Sequence, residues 1–247
     1  MQTKFKTSTV AIGITVSLAY AGIAAAEGNR YDLERFYESE ISAAQAYLEM
    51  ENSKGHDHQH RHAPAVLIDV RRLREYAAGH PEDAYNIPYP HIVDSNDQDP
   101  AVFYWEVFDA VKGKTDTPIM TLCRTGHRSV LAGNILADPE GHGVPGGVPF
   151  THVRNIWEGF VGQYKYAYDG GNILLDENGE PYSLDLNNDG VMNSDVADVF
   201  AETKDANPDK DGWRNFQGLP WSTHIRRPLA YMQDPSLYVD LNLTPVE

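Results

Sequence analysis

"TPIMTLCRTGHRSVLAGNILA", residues 117–137, decides the fold. Its first seven residues form a short apolar run that ends at Cys123, the pattern of a strand buried in a parallel sheet. A helix-like pattern starts at Arg128 and continues to 137. Strand, short loop and helix in succession are the repeating unit of an open α/β layer fold. In such folds the ligand sits beyond the carboxyl ends of the strands, and Cys123 stands at one of those ends.

Working outward, "AVLIDVR" (65–71) reads as a second buried strand, ending in Asp69 and Arg71. A helical stretch follows at 72–78, then a short strand at 84–87 within "GHPEDAYNIPY". Val102, Trp105, Phe108 and Val111 place a helix over 101–111, and "PFTHVRNI" (149–156) is another strand. Toward the N-terminus, 31–51 reads as helical in one or two pieces. Ser42 with Gln45 three residues on resembles a capping box, so one helix is expected to start there.

The first 26 residues read as an export signal. Lys4 and Lys6 give a positive start, 10–23 is mostly apolar, and Ala24-Ala25-Ala26 supplies small residues for cleavage before Glu27. The competing reading is a retained anchor, although no stop-transfer stretch follows. Cleavage predicts a periplasmic protein with no membrane association. It leaves 221 residues and takes away two lysines and no acid, moving the net charge from -16 to -18. That charge argues against nucleic acid as a partner. The length suits one domain with an elaboration.

"SKGHDHQHRHAP" (53–64) is a polar linker carrying His56, His58, His60 and His62. Alternate histidines fit a metal site or a solvated loop. The chain has one cysteine, so no internal disulfide holds it, and the thiol is either inert and buried or placed to react.

The loop after the strand favours reaction. Unpaired N–H groups at the start of the helix, its dipole, and Arg124, Arg128 and His127 nearby all favour a thiolate. Gly126 lets the loop close tightly, and Thr125 offers a hydroxyl donor. A nucleophilic thiolate in a positive cup suits an anion with an electrophilic atom. Thiosulfate fits, because attack on its outer sulfur leaves a cysteine persulfide and releases sulfite.

CRTGHR (123–128) resembles the active-site loop of rhodanese-like sulfurtransferases: cysteine, two variable residues, glycine, one variable residue, arginine. "VLIDVR", "EYAAGH", "NIPY" and "RNIWEGF" stand in the order of that family, and the resemblance resumes at "GWRNFQGLPWS" (212–222). It implies that Cys123 carries the sulfur, that the backbone of Arg124, Thr125, Gly126, His127 and Arg128 lines the persulfide cradle, and that Arg128 fixes the loop or holds the anion. Asp69 and Arg71 fall on the family's aspartate-x-arginine strand end, where a structural role is expected. Related phosphatases and arsenate reductases have one more residue between cysteine and arginine. Four residues separate Cys123 from Arg128 here, which favours sulfane sulfur over phosphate.

The resemblance places a rhodanese-like domain at 63–222, with the helix from about 41 included, between an N-terminal helical segment and linker (27–62) and a C-terminal tail (223–247). Pro81, Glu82 and Asp83 replace the family's usual isoleucine, proline and glycine. About fifty residues, 161–211, read as an insertion. Within it Asn178-Gly179 suggests a hairpin between 173–176 and 182–184. "DLNNDGVMNSDV" (185–196) resembles a calcium loop: Asp185, Asn187 and Asp189 at positions one, three and five, Gly190 at six, Val191 offering a carbonyl, and Asn193 at nine. Val196 stands where an acid is expected, so an Asx-rich turn capping a helix without metal is the other reading.

The expected activity is ping-pong transfer of sulfane sulfur from a small anionic donor such as thiosulfate to a thiol, cyanide or protein acceptor. It requires no cofactor, and the calcium-like loop of the insertion is a candidate site for Ca2+. A non-catalytic persulfide carrier or docking protein is the alternative.

Overall fold

The computed structural model describes residues 31, 33–55, 64–162 and 211–247, with the backbone of 168–169 and 172–173. In chain order the elements are β1 (Ser39–Ile41), α1 (Ala43–Gly55), β2 (Val66–Asp69), α2 (Leu73–Ala78), β3 (His80–Pro81), β4 (Tyr85–Asn86), β5 (His91–Val93), β6 (Asn96–Asp97) and α3 (Pro100–Ala110). They continue with β7 (Ile119–Leu122), α4 (His127–Ala137), β8 (Val153–Ile156), β9 (Tyr168–Asp169), β10 (Asn172–Ile173), β11 (Trp221–Ser222) and α5 (Ser236–Asp240).

Five strands form one parallel sheet in the order β1-β8-β7-β2-β4. Alternate residues of each strand face opposite ways, and both faces are covered. Ile68, Ile119 and Val153 pack with Phe103 and Val107 of α3 and with Val130 and Ile135 of α4. Leu67, Met120, Leu122 and Ile156 pack on the other side with Ala43, Ala46 and Met50 of α1 and with Trp213. The continuous apolar runs therefore mark a three-layer α/β fold, with β7 at its centre. The tail is more than a surface strap. Ile225, Tyr231 and Tyr238 make a third cluster with Leu73, Tyr76 and Ile92.

The helical reading of 31–51 is corrected at its N-terminal half. Residues 33–38 are not helical and 39–41 form β1, whose pairing with β8 begins as Glu38 N–H donates to the Val153 carbonyl at 2.9 Å. An open β8 edge offers backbone partners along its length, and Tyr37 and Ile41 gain burial by pairing there, which local helix propensity does not match. Ser42 does cap α1, its Oγ accepting from Gln45 N–H at 3.1 Å. Glu158 reaches the same helix end and accepts from Ala43 N–H at 3.2 Å.

A short antiparallel pair stands at 168–173. Ile173 pairs with Tyr168 and Asn172 with Asp169. The expected partner strand at 182–184, the Asn178-Gly179 turn and the whole calcium-like loop lie outside the described residues. So do 1–26 and His56, His58, His60 and His62. Among the described residues no helix is long and apolar enough to cross a membrane.

Candidate active site

Three strand ends converge on Cys123. The cysteine follows the last residue of β7, is 1 % exposed, and leads through 124–126 into α4. On one side β2 delivers Asp69 and Arg71. On the other, the residues after β8 bring Trp157 to Gly162 against the loop backbone: Phe160 N–H donates to the Cys123 carbonyl at 2.8 Å, and Val161 N–H and Gly162 N–H donate to the Arg124 carbonyl at 3.1 and 3.2 Å.

Two glycines make this approach feasible. Gly126 adopts φ +99°, and a Cβ there would meet the Trp157 carbonyl oxygen at 2.3 Å. Gly159 adopts φ +71°, and a Cβ there would meet the Arg124 carbonyl oxygen at 2.3 Å. Backbone lies against backbone on this side of the loop, at distances no side chain permits.

One backbone donor points at the sulfur, and a hydroxyl shared with the Gly126 carbonyl oxygen, 3.1 Å from it, lies beside the sulfur. Gly126 N–H points at Cys123 Sγ from 3.1 Å, and Ser129 Oγ lies 3.4 Å from it. The expected hydroxyl donor, Thr125, faces elsewhere. Its Oγ1 is 2.7 Å from the Tyr31 hydroxyl, because the tight turn at Gly126 aims its side chain outward. His127 is exposed, its ring edge-on to Tyr31 at 4.9 Å. Arg124 is buried, 7 % exposed.

Arg128 ties the loop to α2. Its guanidinium grips Glu75 of α2 bidentately, Nη1 to Oε2 at 2.7 Å and Nη2 to Oε1 at 2.6 Å. Arg71 makes the same kind of fork on Asp69, at 2.9 and 2.6 Å, donates to the Gly79 carbonyl at 2.7 Å, and lies 4.1 Å over the Phe160 ring. Asp69 and Arg71 are thus built into the wall behind the loop, 0 % and 1 % exposed.

A family model for the rhodanese-like domain matches residues 48–165. The chain carries a rhodanese-like domain. That domain defines a sulfurtransferase-type family, and the match spans the chain from within α1 to just beyond Gly162. No curated protein matches the chain.

Within the rhodanese-like domain, Asp83 adopts φ +65° at the position where the family's usual residue is glycine. Aspartate tolerates the left-handed region better than most residues, and here its carboxylate also pairs with Lys54 at 2.7 Å and with Arg226 at 2.5 Å. The altered turn lies at the α1 and tail surface. Among the described residues no cluster of histidine, cysteine and acidic side chains could hold a metal ion.

Glu75 and Ser129 are site residues that sequence reasoning passed over. Glu75 sits in "EYAAGH", and Ser129 faces inward from the first turn of α4, yet neither carries a local mark of its partner. Burial alone would raise the Glu75 carboxyl, but the Arg128 charge and hydrogen bonds, with Arg71 nearby, hold it down at about 2 against an ordinary 4.5. A depressed carboxyl stabilises the fold above its unfolded pKa and loses that contribution as pH falls through the folded one. Glu75→Gln is therefore expected to destabilise the protein by about 3 kcal/mol at neutral pH, by leaving Arg128 without its counter-charge. The gap to wild type should close between pH 4.5 and about 2. Urea unfolding of both proteins at pH 7 and pH 3 reads this directly, and an equal gap at the two values would remove Glu75 as the source.

Proposed function

We propose that this protein is a thiosulfate sulfurtransferase working through a persulfide on Cys123. The observation that carries the reading is the Gly126 N–H held 3.1 Å from the sulfur, inside a loop with four residues between Cys123 and Arg128. The thiolate attacks the outer sulfur of thiosulfate. A Cys123 S–S bond forms, the bond between the two thiosulfate sulfurs breaks, and its electron pair leaves with sulfite. The terminal sulfur of the persulfide is then attacked by a thiophile such as cyanide, which departs as thiocyanate and restores the thiolate. The loop amide and the Ser129 hydroxyl, placed before the reaction, hold negative charge on sulfur throughout. Arg124, Thr125 and His127 bound the approach to the cup.

The reading extends to the whole chain. Residues 1–26 direct export to the periplasm, and no organic cofactor takes part. The rhodanese-like domain runs from 63 to 222 around an insertion at about 161–211. Its two flanks support that extent, since a Cβ on Gly162 would lie 1.8 Å from the Asp211 carbonyl oxygen, and Trp213 N–H donates to Gly159 O at 2.9 Å. Ca2+ is assigned to the loop of Asp185, Asn187, Asp189, Val191 and Asn193.

The test is thiocyanate and sulfite release from thiosulfate and cyanide by the chain from Glu27 onward, with added calcium and with chelator. Parallel double-reciprocal lines for the two substrates are expected, and loss of turnover in chelator would support the calcium assignment. No turnover, together with a Cys123 persulfide acquired from polysulfide, would replace this reading with that of a persulfide carrier serving a protein acceptor.

A further inference from the structure

The chain ahead of the family match reaches the Cys123 loop directly at Tyr31 and, through Asn155, from Glu40. Asn134 of α4 anchors it, its Nδ2 donating to the Glu34 carbonyl at 2.8 Å and its Oδ1 accepting from Phe36 N–H at 2.9 Å. From there Tyr31 extends to the outer side of the loop, where its hydroxyl donates to the Thr125 carbonyl oxygen at 2.8 Å. Beneath the loop, Asn155 Nδ2 donates to Glu40 Oε2 at 2.8 Å and lies 3.4 Å from the Gly126 carbonyl oxygen.

The Thr125 carbonyl and the Gly126 N–H belong to one peptide unit. In a trans peptide the two point in opposite directions, so a donor fixed on the oxygen aims the hydrogen at the far side. On that far side is Cys123 Sγ, 3.1 Å from the nitrogen. Gly126 alone would let this plane turn over at little cost, because glycine accepts both signs of φ. The Tyr31 hydroxyl opposes that rotation and, by drawing charge onto the oxygen, strengthens the N–H as a donor.

We infer that Tyr31 is a positioning residue for the reactive sulfur, acting through the 125–126 peptide. The inference rests on Cys123 being the reacting thiol, and it adds to the family's own machinery a part that lies outside residues 48–165. Thr125 Oγ1 can donate back to the Tyr31 hydroxyl, which holds the phenol in place without replacing the carbonyl as the point of action.

Alkylation of Cys123 by iodoacetamide tests this without any sulfur donor. Tyr31→Phe keeps the ring against His127 and removes only the hydroxyl. It should slow alkylation at neutral pH by about two- to tenfold, the range of one net hydrogen bond, with a similar drop in kcat for sulfur transfer and little change in KM. Thr125→Val keeps the carbonyl, so it should have the smaller effect, and Tyr31→Phe should slow the valine variant by the same factor as wild type. Wild-type alkylation in Tyr31→Phe overturns the inference, including where only its thermal midpoint has moved. So does a Thr125→Val variant that reproduces the whole effect, since the hydroxyl contact would then carry it. Slowed alkylation in a protein whose wild type transfers no sulfur would leave this inference standing and remove the proposed function.

Discussion

Cys123→Ser is expected to lower sulfur transfer at least about a thousandfold, to the level of the reaction without protein, while leaving the fold in place. The chain contains no other cysteine, so no second thiol can take over the sulfur. A serine hydroxyl stays protonated at neutral pH, and an S–O bond does not substitute for a persulfide in the return step. Structurally the exchange is small. Serine is smaller by one row of the periodic table, sits in the same buried position, and its Oγ can accept the Gly126 N–H that now reaches Sγ. The stability change should stay within about 1 kcal/mol. Thiocyanate production and urea unfolding, measured side by side, check both halves. Transfer retained in the serine variant would refute the persulfide mechanism outright, and transfer lost together with the fold would leave the cysteine with a packing role only.

The sheet and the reactive loop were legible in the sequence for one physical reason: both faces of β2 and β7 are buried. Ile68 and Leu67 point into different clusters, as do Ile119 and Met120, so apolar residues run without interruption and end where the loop begins. The position of Gly126 was legible because only glycine fits beside the Trp157 carbonyl. What the sequence hid are contacts between distant segments. Glu75 meets Arg128 across 53 residues, and Tyr31 meets Thr125 across 94. Neither pairing leaves a periodic or local trace. The strand at 39–41 was hidden for a related cause, since its conformation is set by the β8 edge that it joins and not by its own three residues. Arg128 illustrates the limit from the other direction: its identity was readable from the loop, but the carboxylate opposite it was not.

Gly126→Ala should strongly damage transfer while sparing every functional side chain. At φ +99° an L residue is strained, and the added methyl would stand 2.3 Å from the Trp157 oxygen and 3.0 Å from its carbon. Those atoms are main chain, pinned by β8 and by the hydrogen bonds that tie Phe160 and Val161 to Cys123 and Arg124, so they cannot swing aside as a flexible side chain would. The 125–126 peptide must move instead, and with it the N–H that faces the sulfur. Loss of such a preorganised donor lowers transfer by about a hundredfold or more. Backbone strain at this one residue costs about 1 to 3 kcal/mol of stability, with the displaced contacts to Trp157 adding to it. Steady-state sulfur transfer and urea unfolding give the two magnitudes, and the thiol alkylation rate separates them, because a loop that has merely loosened globally would expose Cys123 and speed alkylation. A folded alanine variant with slow alkylation and slow transfer is the expected result. Wild-type transfer in that variant would mean that the sulfur is served by donors other than the Gly126 amide.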